Sequence, residues 1–141
     1  MKDHLDFESV HLSRCLFDAF AGGDLSQWES KLAPGFTFSY PGMPDGKGVA
    51  DARAYNAPFV TAFSDWIVDV HSAAVDGENV FQAVTVNATH SGPLQTPQGI
   101  LPATGRRGAV KCVIYTKVRG GKLAHEATYW NVLDLIGQLT N

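Results

Sequence analysis

THSGPLQTPQGILPATGRRGAVKCVIYTKVRGGKLAHEATYWNVLDLIGQL, running from Thr89 to Leu139, is the stretch that decides the fold. A strand ends in His90-Ser91-Gly92. A loop broken by Pro and Gly comes next and closes with Pro102-Ala103-Thr104-Gly105-Arg106. Ala109 to Val118 alternates as a strand, with Val110, Cys112, Ile114, Thr116 and Val118 on one face and Lys111, Tyr115 and Lys117 on the other. Gly120-Gly121-Lys122 is a turn, and Leu123 to Trp130 is the last strand, running into a short final helix. Polar and aromatic groups gather near strand ends in an otherwise apolar half-chain, as expected of a small pocket with a few convergent polar groups.

Working outward, Val80 to His90 also alternates, with Val80, Val84, Val86 and Ala88 on one face and Thr85, Asn87 and Thr89 on the other. It pairs through a hairpin turn at Asp76-Gly77 with a strand over Trp66 to Val75. The N-terminal third is helical. Phe7, Val10, Leu12, Cys15, Leu16, Phe17, Ala19 and Phe20 form one broad apolar face over Asp6 to Phe20, and Gly22-Gly23 stops that helix. Asp24 caps a short second helix carrying Leu25, Trp28 and Leu32, which Pro34-Gly35 ends. Phe36 to Tyr40 reads as a strand and PGMPDGKG, residues 41–48, as a loop. Val49 to Phe63 reads as a helix, with Pro58 kinking or splitting it. No repeat, low-complexity tract or linker interrupts the chain. Helices first and strands later predict a single α+β domain over residues 1–141: a strongly curved antiparallel sheet, helices over its concave face, and a pocket between.

Composition narrows the partners. The 141 residues are 45% hydrophobic and 18% charged, ordinary for a globular domain, and the net charge of −3 leaves no electrostatic footprint for nucleic acid. Arg106-Arg107 reads as a solvated loop tip. The opening MKDHLDFESV has no apolar core of a secretory signal, and no apolar run approaches the ~20 residues that span a bilayer. Cys15 and Cys112 fit neither a CxxC pattern nor a disulfide framework, so both are expected to be reduced, buried and inert, which suits a cytoplasmic protein. No HExxH, GxGxxG or GxxxxGK[ST] frame occurs, so neither a metal nor a cofactor is expected, and Thr104-Gly105-Arg106 is not a phosphate loop.

Several pieces, in order, resemble the SnoaL-like polyketide cyclase family of the nuclear-transport-factor-2-like (NTF2-like) superfamily. They are Ala62-Phe63-Ser64-Asp65-Trp66, Val75-Asp76-Gly77-Glu78-Asn79-Val80, Ala88-Thr89-His90-Ser91-Gly92, Pro102-Ala103-Thr104-Gly105-Arg106, Gly121-Lys122-Leu123, and Tyr129-Trp130-Asn131 followed by Gln138-Leu139. The resemblance implies the cone-shaped NTF2-like fold and a cyclase reaction without a cofactor. It also exposes a departure. Where the family commonly carries an Asp taken to be the general acid/base, this chain has Asn131, an amide that cannot accept a proton at ordinary pH. The histidine often found in the family just after the first strand is not apparent in Phe36 to Gly42.

Three residues are candidates for the chemistry. His90 shares the parity of Val80, Val84 and Val86; it is either an acid/base group or a structural histidine tying down the following loop. Glu126 lies among small residues; it is either a base whose pKa an apolar cavity raises, or an outward charge paired with Lys111 or Lys117. Strict alternation sets it opposite in facing to Asn131. Asn131 either holds a carbonyl or enolate oxygen or caps the final helix. His125, of opposite parity to Glu126, is expected to face solvent or a partner subunit. Phe20, Tyr40, Trp66, Tyr129 and Trp130 are either the walls of a site for a flat ring or ordinary core.

Two functions fit these residues. One is a cofactor-free enzyme moving a proton next to a carbonyl, as in an intramolecular aldol cyclisation or an isomerisation, on a small hydrophobic, aromatic or polyketide-like molecule. His90 or Glu126 would be its base, with Asn131 and Tyr129 at the oxyanion. The other is a non-catalytic binder of such a ligand, which Asn131 in place of the acid favours. Dehydration or epoxide hydrolysis on this fold ranks below both, since no carboxylate–Arg–carboxylate trio is evident. Val113 and Tyr115 leave the outer sheet face partly apolar, which points to a homodimer.

Overall fold

The apolar face read over Asp6 to Phe20 is divided between two helices, α1 (Lys2–Ser13) and α2 (Cys15–Gly22). The structure, a computed structural model, describes residues 2–141, with side chains from Phe7 onward. The chain breaks at Arg14 because the end of α1 has a partner in the sheet. Gln82 accepts from Arg14 Nε at 2.8 Å, and its own amide donates to the Val10 carbonyl and to Ser13. A buried Gln on an apolar strand face is thereby satisfied, and a carbonyl near the end of α1 gains a partner.

Helix α3 (Ser26–Ser30) follows an Asx turn in which Asp24 accepts from the Ser26 amide at 2.9 Å. Strand β1 (Leu32–Tyr40) starts earlier than Phe36; Pro34-Gly35 bends the strand rather than ending a helix, with Gly35 at φ 77°. The stretch read as a loop after it is the edge strand β2 (Met43–Lys47), turned back through Pro41-Gly42. Helix α4 (Gly48–Ala62) continues through Pro58 without a break and puts Ala52, Asn56 and Ala62 in the interior. Strands β3 (Phe63–Asp76) and β4 (Asn79–His90) form the expected hairpin. The Pro/Gly loop holds a small separate hairpin, β5 (Leu94–Thr96) with β6 (Gly99–Leu101). β7 (Arg107–Arg119), β8 (Lys122–Tyr129) and helix α5 (Val132–Thr140) complete the chain.

The strongly curved main sheet has the order β2-β1-β8-β7-β4-β3. It departs from the all-antiparallel expectation at one pair, since β1 runs parallel to β8. A parallel pair needs a long crossover, and everything from β2 to β7 supplies it. The inner face follows the alternation closely: Val80, Gln82, Val84, Val86, Ala88 and His90 of β4 are buried, as are Cys112, Ile114 and Thr116 of β7. The α1–α2 and α4 side chains pack over this face in one apolar cluster containing Leu16, Phe17, Phe20, Trp28, Phe36 and Phe38.

β3 carries the fold's most consequential irregularity. Its register shifts between Ser64 and Ile67, and Asp65 between them takes φ 54°. This bulge reverses the facing of the residues after it, so that Phe63 and Trp66, three apart, turn to the same side. Arg107, read as half of a solvated loop tip, holds it in place. Its guanidinium donates to the Asp65 carbonyl at 2.9 Å, to Asn87 Oδ1 at 2.6 Å and to Thr89 Oγ1 at 2.7 Å. Near the same end of β7, the Gln138 amide of α5 pairs with both the N–H and the carbonyl of Ala109, each at 2.8 Å, as a neighbouring strand would. Gly108 lets α5 approach closely there, since a Cβ would stand 2.6 Å from a Leu135 methyl and make that side chain shift.

Candidate active site

The helices and the inner sheet face form a half-open cavity of about 80 Å³. Its walls are largely aromatic: Phe20, Phe59, Phe63, Trp66 and Trp130 all line it. Phe20 stacks on Trp66 at 4.8 Å between centroids, and Phe59 meets Trp130 edge-on at 5.9 Å. Trp66 joins the wall only because of the Asp65 bulge. The polar groups in the lining are few: Asn56 and Tyr55 from α4, Cys112 from β7 and Thr128 from β8. Tyr55 is already engaged, donating to the Pro41 carbonyl at 2.7 Å.

Glu126 lies beneath this floor. It shares the inward parity of Thr128 on β8, two residues and thus about 7 Å further along the strand. It is 0% exposed. Tyr40 Oη donates to its Oε1 at 2.7 Å. Among the described residues Oε2 has no hydrogen-bond partner, nor have three other buried polar atoms, His90 Nε2, Trp28 Nε1 and Thr116 Oγ1, the last on the residue facing Glu126 across β7–β8. Burial pushes the carboxyl up to about 7, against the opposing pull of the Tyr40 hydroxyl. Burial, with the Glu126 charge beside it, drives the Tyr40 hydroxyl far above its ordinary value, so the shared proton belongs to Tyr40. Asn56, on the buried side of α4, lines the cavity and donates through Nδ2 to the Ala52 carbonyl at 3.0 Å.

The other candidates are spread out. His90 is fully buried and packs on Phe63 at 5.5 Å, but it is not among the cavity-lining residues. Its Nδ1 accepts from the Thr104 amide at 3.2 Å and lies 3.0 Å from Thr104 Oγ1. With the lone pair of Nδ1 so used, the neutral ring carries its proton on Nε2, and burial lowers its pKa. Asn131 is exposed and accepts from the Asp134 amide at 3.0 Å as the N-cap of α5. Tyr129, set among the possible walls in sequence, stands 58% exposed on the outer face, because alternation along β8 sends Thr128 and Trp130 inward. Tyr40 lies one layer behind the wall, stacked at 4.8 Å on Tyr55. His125 is on the outer face, 2.7 Å from Thr37 Oγ1 through Nδ1. Cys15 and Cys112 are free, and burial pushes their thiols up to about 12 and 11, so both stay protonated. Among the described residues, no three of His, Cys, Asp or Glu stand together as a metal site.

Asn56 escapes sequence reasoning. A single Asn within a helical stretch gives no periodic signal, and only its position on the buried side of α4 marks it. Tyr40 reads as a wall in sequence, where its partner, 86 residues away, cannot be seen.

A strongly curved mixed sheet covered by helices is the architecture of the NTF2-like class. Residues 14–126 match the family model of the SnoaL-like domain, and the chain belongs to that family. No curated protein matches it in sequence. Solved structures similar in fold include a candidate SnoaL-like polyketide cyclase from Jannaschia sp. CCS1, 21% identical, with 96% of this chain and 93% of that one covered at a TM-score of 0.80. An NTF2-like protein from Anabaena variabilis is 14% identical, with 89% of each chain covered at a TM-score of 0.74. An LEH-like epoxide hydrolase from M. tuberculosis is 14% identical, with 95% and 90% covered at 0.69. At these identities the likeness is one of fold, and the fold supports more than one reaction.

Proposed function

We propose that this chain is a cofactor-free enzyme of the cyclase or isomerase type, moving a proton next to a carbonyl in a small hydrophobic, ring-bearing compound. The observation that carries the reading is Glu126, a carboxyl buried beneath an aromatic cavity, with its pKa raised to about 7. A base is most effective when its pKa lies near the working pH, and proton transfer by a placed side chain contributes ~10²–10⁴-fold. Tyr40 holds Oε1 and leaves Oε2 as the atom that takes the proton. The carbonyl end of the substrate enters past Asn56 and Thr128, where the Thr128 hydroxyl meets the developing oxyanion. His90 and Asn131 act in support, the first by tying the loop at Thr104 and the second by capping α5.

A second reading, a non-catalytic ligand binder, draws on the fact that, among the described residues, no Asp, Glu or His lines the cavity. Deuterium uptake from D2O at the carbon next to the carbonyl, followed by proton NMR over a panel of cyclic ketones and 1,3-diketones, separates the two. The enzyme reading expects uptake that Glu126→Gln slows at least ~10²-fold. Binding without uptake in the wild type makes the chain a binder.

A homodimer through the outer sheet face belongs to the same proposal. Phe81 stacks on Tyr115 at 4.9 Å there, and Val113 and Tyr129 stand exposed beside them. Light scattering that gives a monomer at every concentration rejects it. Two free, protonated thiols suit a reducing compartment, and we place the protein in the cytoplasm.

A further inference from the structure

Among the described residues that line the cavity, Asn56 is the one with a side-chain amide. Asn56 is 3% exposed, yet it lines the cavity. Its Nδ2 donates to the Ala52 carbonyl at 3.0 Å. A backbone carbonyl is an acceptor only, so this bond fixes the orientation of the amide, and Nδ2 rather than Oδ1 faces Ala52. The Tyr40 hydroxyl is engaged elsewhere, donating to Glu126 Oε1 at 2.7 Å. Among the described residues no donor hydrogen-bonds to Oδ1, in a wall that is mostly apolar and includes Phe20, Phe59, Phe63, Trp66 and Trp130. Filling the cavity with a purely apolar molecule would strand that oxygen away from water, and a buried acceptor without a donor is costly.

We propose that Asn56 determines specificity: the cavity takes a flat ring bearing a hydroxyl donor, a phenol or an enol, whose O–H is accepted by Asn56 Oδ1. This rests on the reading of the cavity as the ligand site and names its ligand class.

The test uses p-cresol and p-xylene, equal in shape and differing by the hydroxyl, titrated against the full chain while the indole N–H signals of Trp66 and Trp130 are followed by NMR. Replacing Asn56 by Leu removes the acceptor at similar volume. The ratio of the two dissociation constants is expected to shift by about tenfold against p-cresol in Asn56→Leu relative to the wild type. A second comparison needs no variant: 4-methylanisole keeps the oxygen and loses the donor, and it should bind the wild type about tenfold more weakly than p-cresol. An unchanged ratio, or a methyl ether that binds as well as the phenol, overturns the assignment to Asn56 and leaves the cavity as a ligand site. Binding of none of the three probes overturns the cavity reading as well.

Discussion

Tyr40 donates to Glu126 Oε1 at 2.7 Å, joining β1 to β8 across 86 residues at a point where both side chains are buried. The bond favours the charged carboxyl while burial opposes it, and the balance sets the pKa near 7. Tyr40→Phe removes the donor. The Glu126 pKa then rises further, and the pH–rate profile for proton exchange moves to higher pH, with a loss on the order of tenfold at pH 7. A profile that stays in place means that Glu126 is not the titrating base.

Glu126 makes stability fall toward alkaline pH. Between pH 4.5 and 7 the folded chain keeps a proton that the unfolded chain has released, so the contribution is full below about 4.5 and is lost as the pH rises through about 7. The loss is on the order of 3 kcal/mol. His90 works the other way. Burial lowers its pKa from 6.5, so its contribution is present above that value and is lost as the pH falls. Glu126→Gln, which mimics the protonated acid, is expected to unfold at higher urea than the wild type at pH 8 and close to it at pH 4. Equal midpoints at pH 8 would show a carboxyl that stays solvated.

Arg107→Ala releases the bulge at Asp65. Trp66 then loses the constraint that turns it into the cavity wall, and its emission shifts to the red. Affinity for a cavity ligand falls about tenfold, for a stability loss of ~1 kcal/mol. Lysine is not expected to rescue, because a single ammonium cannot replace a planar fork that reaches Asp65, Asn87 and Thr89 together. Unchanged emission and affinity in Arg107→Ala would show that the bulge stands without its clamp.

Asn131→Ala should cost ~1 kcal/mol through the lost cap of α5, with proton exchange unaltered. Asn131→Asp keeps the cap and adds a favourable charge at the helix start, worth ~0.5 kcal/mol. It is not expected to add activity, because this side chain faces solvent rather than the cavity. A gain in turnover with Asn131→Asp would return the acid/base role to that position.

The alternation in β4 and β7 and the turns at Gly77 and at Gly120-Gly121 were legible because each is local. Two-residue periodicity names the buried face of a strand without reference to any other strand, and a glycine turn names where it reverses. Glu126 was legible as a candidate on the same grounds, but its facing was open, since a bulge anywhere upstream in its strand would have reversed it.

What the sequence by itself determined is therefore most of the elements, their inner faces and the family likeness carried by short ordered motifs. The tertiary structure alone decided which polar groups meet. The bulge at Asp65 depends on Arg107, 42 residues away; the break at Arg14 depends on Gln82, 68 residues away. The pairing of Tyr40 with Glu126 depends on β1 lying parallel to β8, with Phe38 in register with Glu126. None of these leaves a periodic trace. Each is a hydrogen bond between groups brought together by burial of the apolar faces around them, so its partner exists only once the sheet has closed.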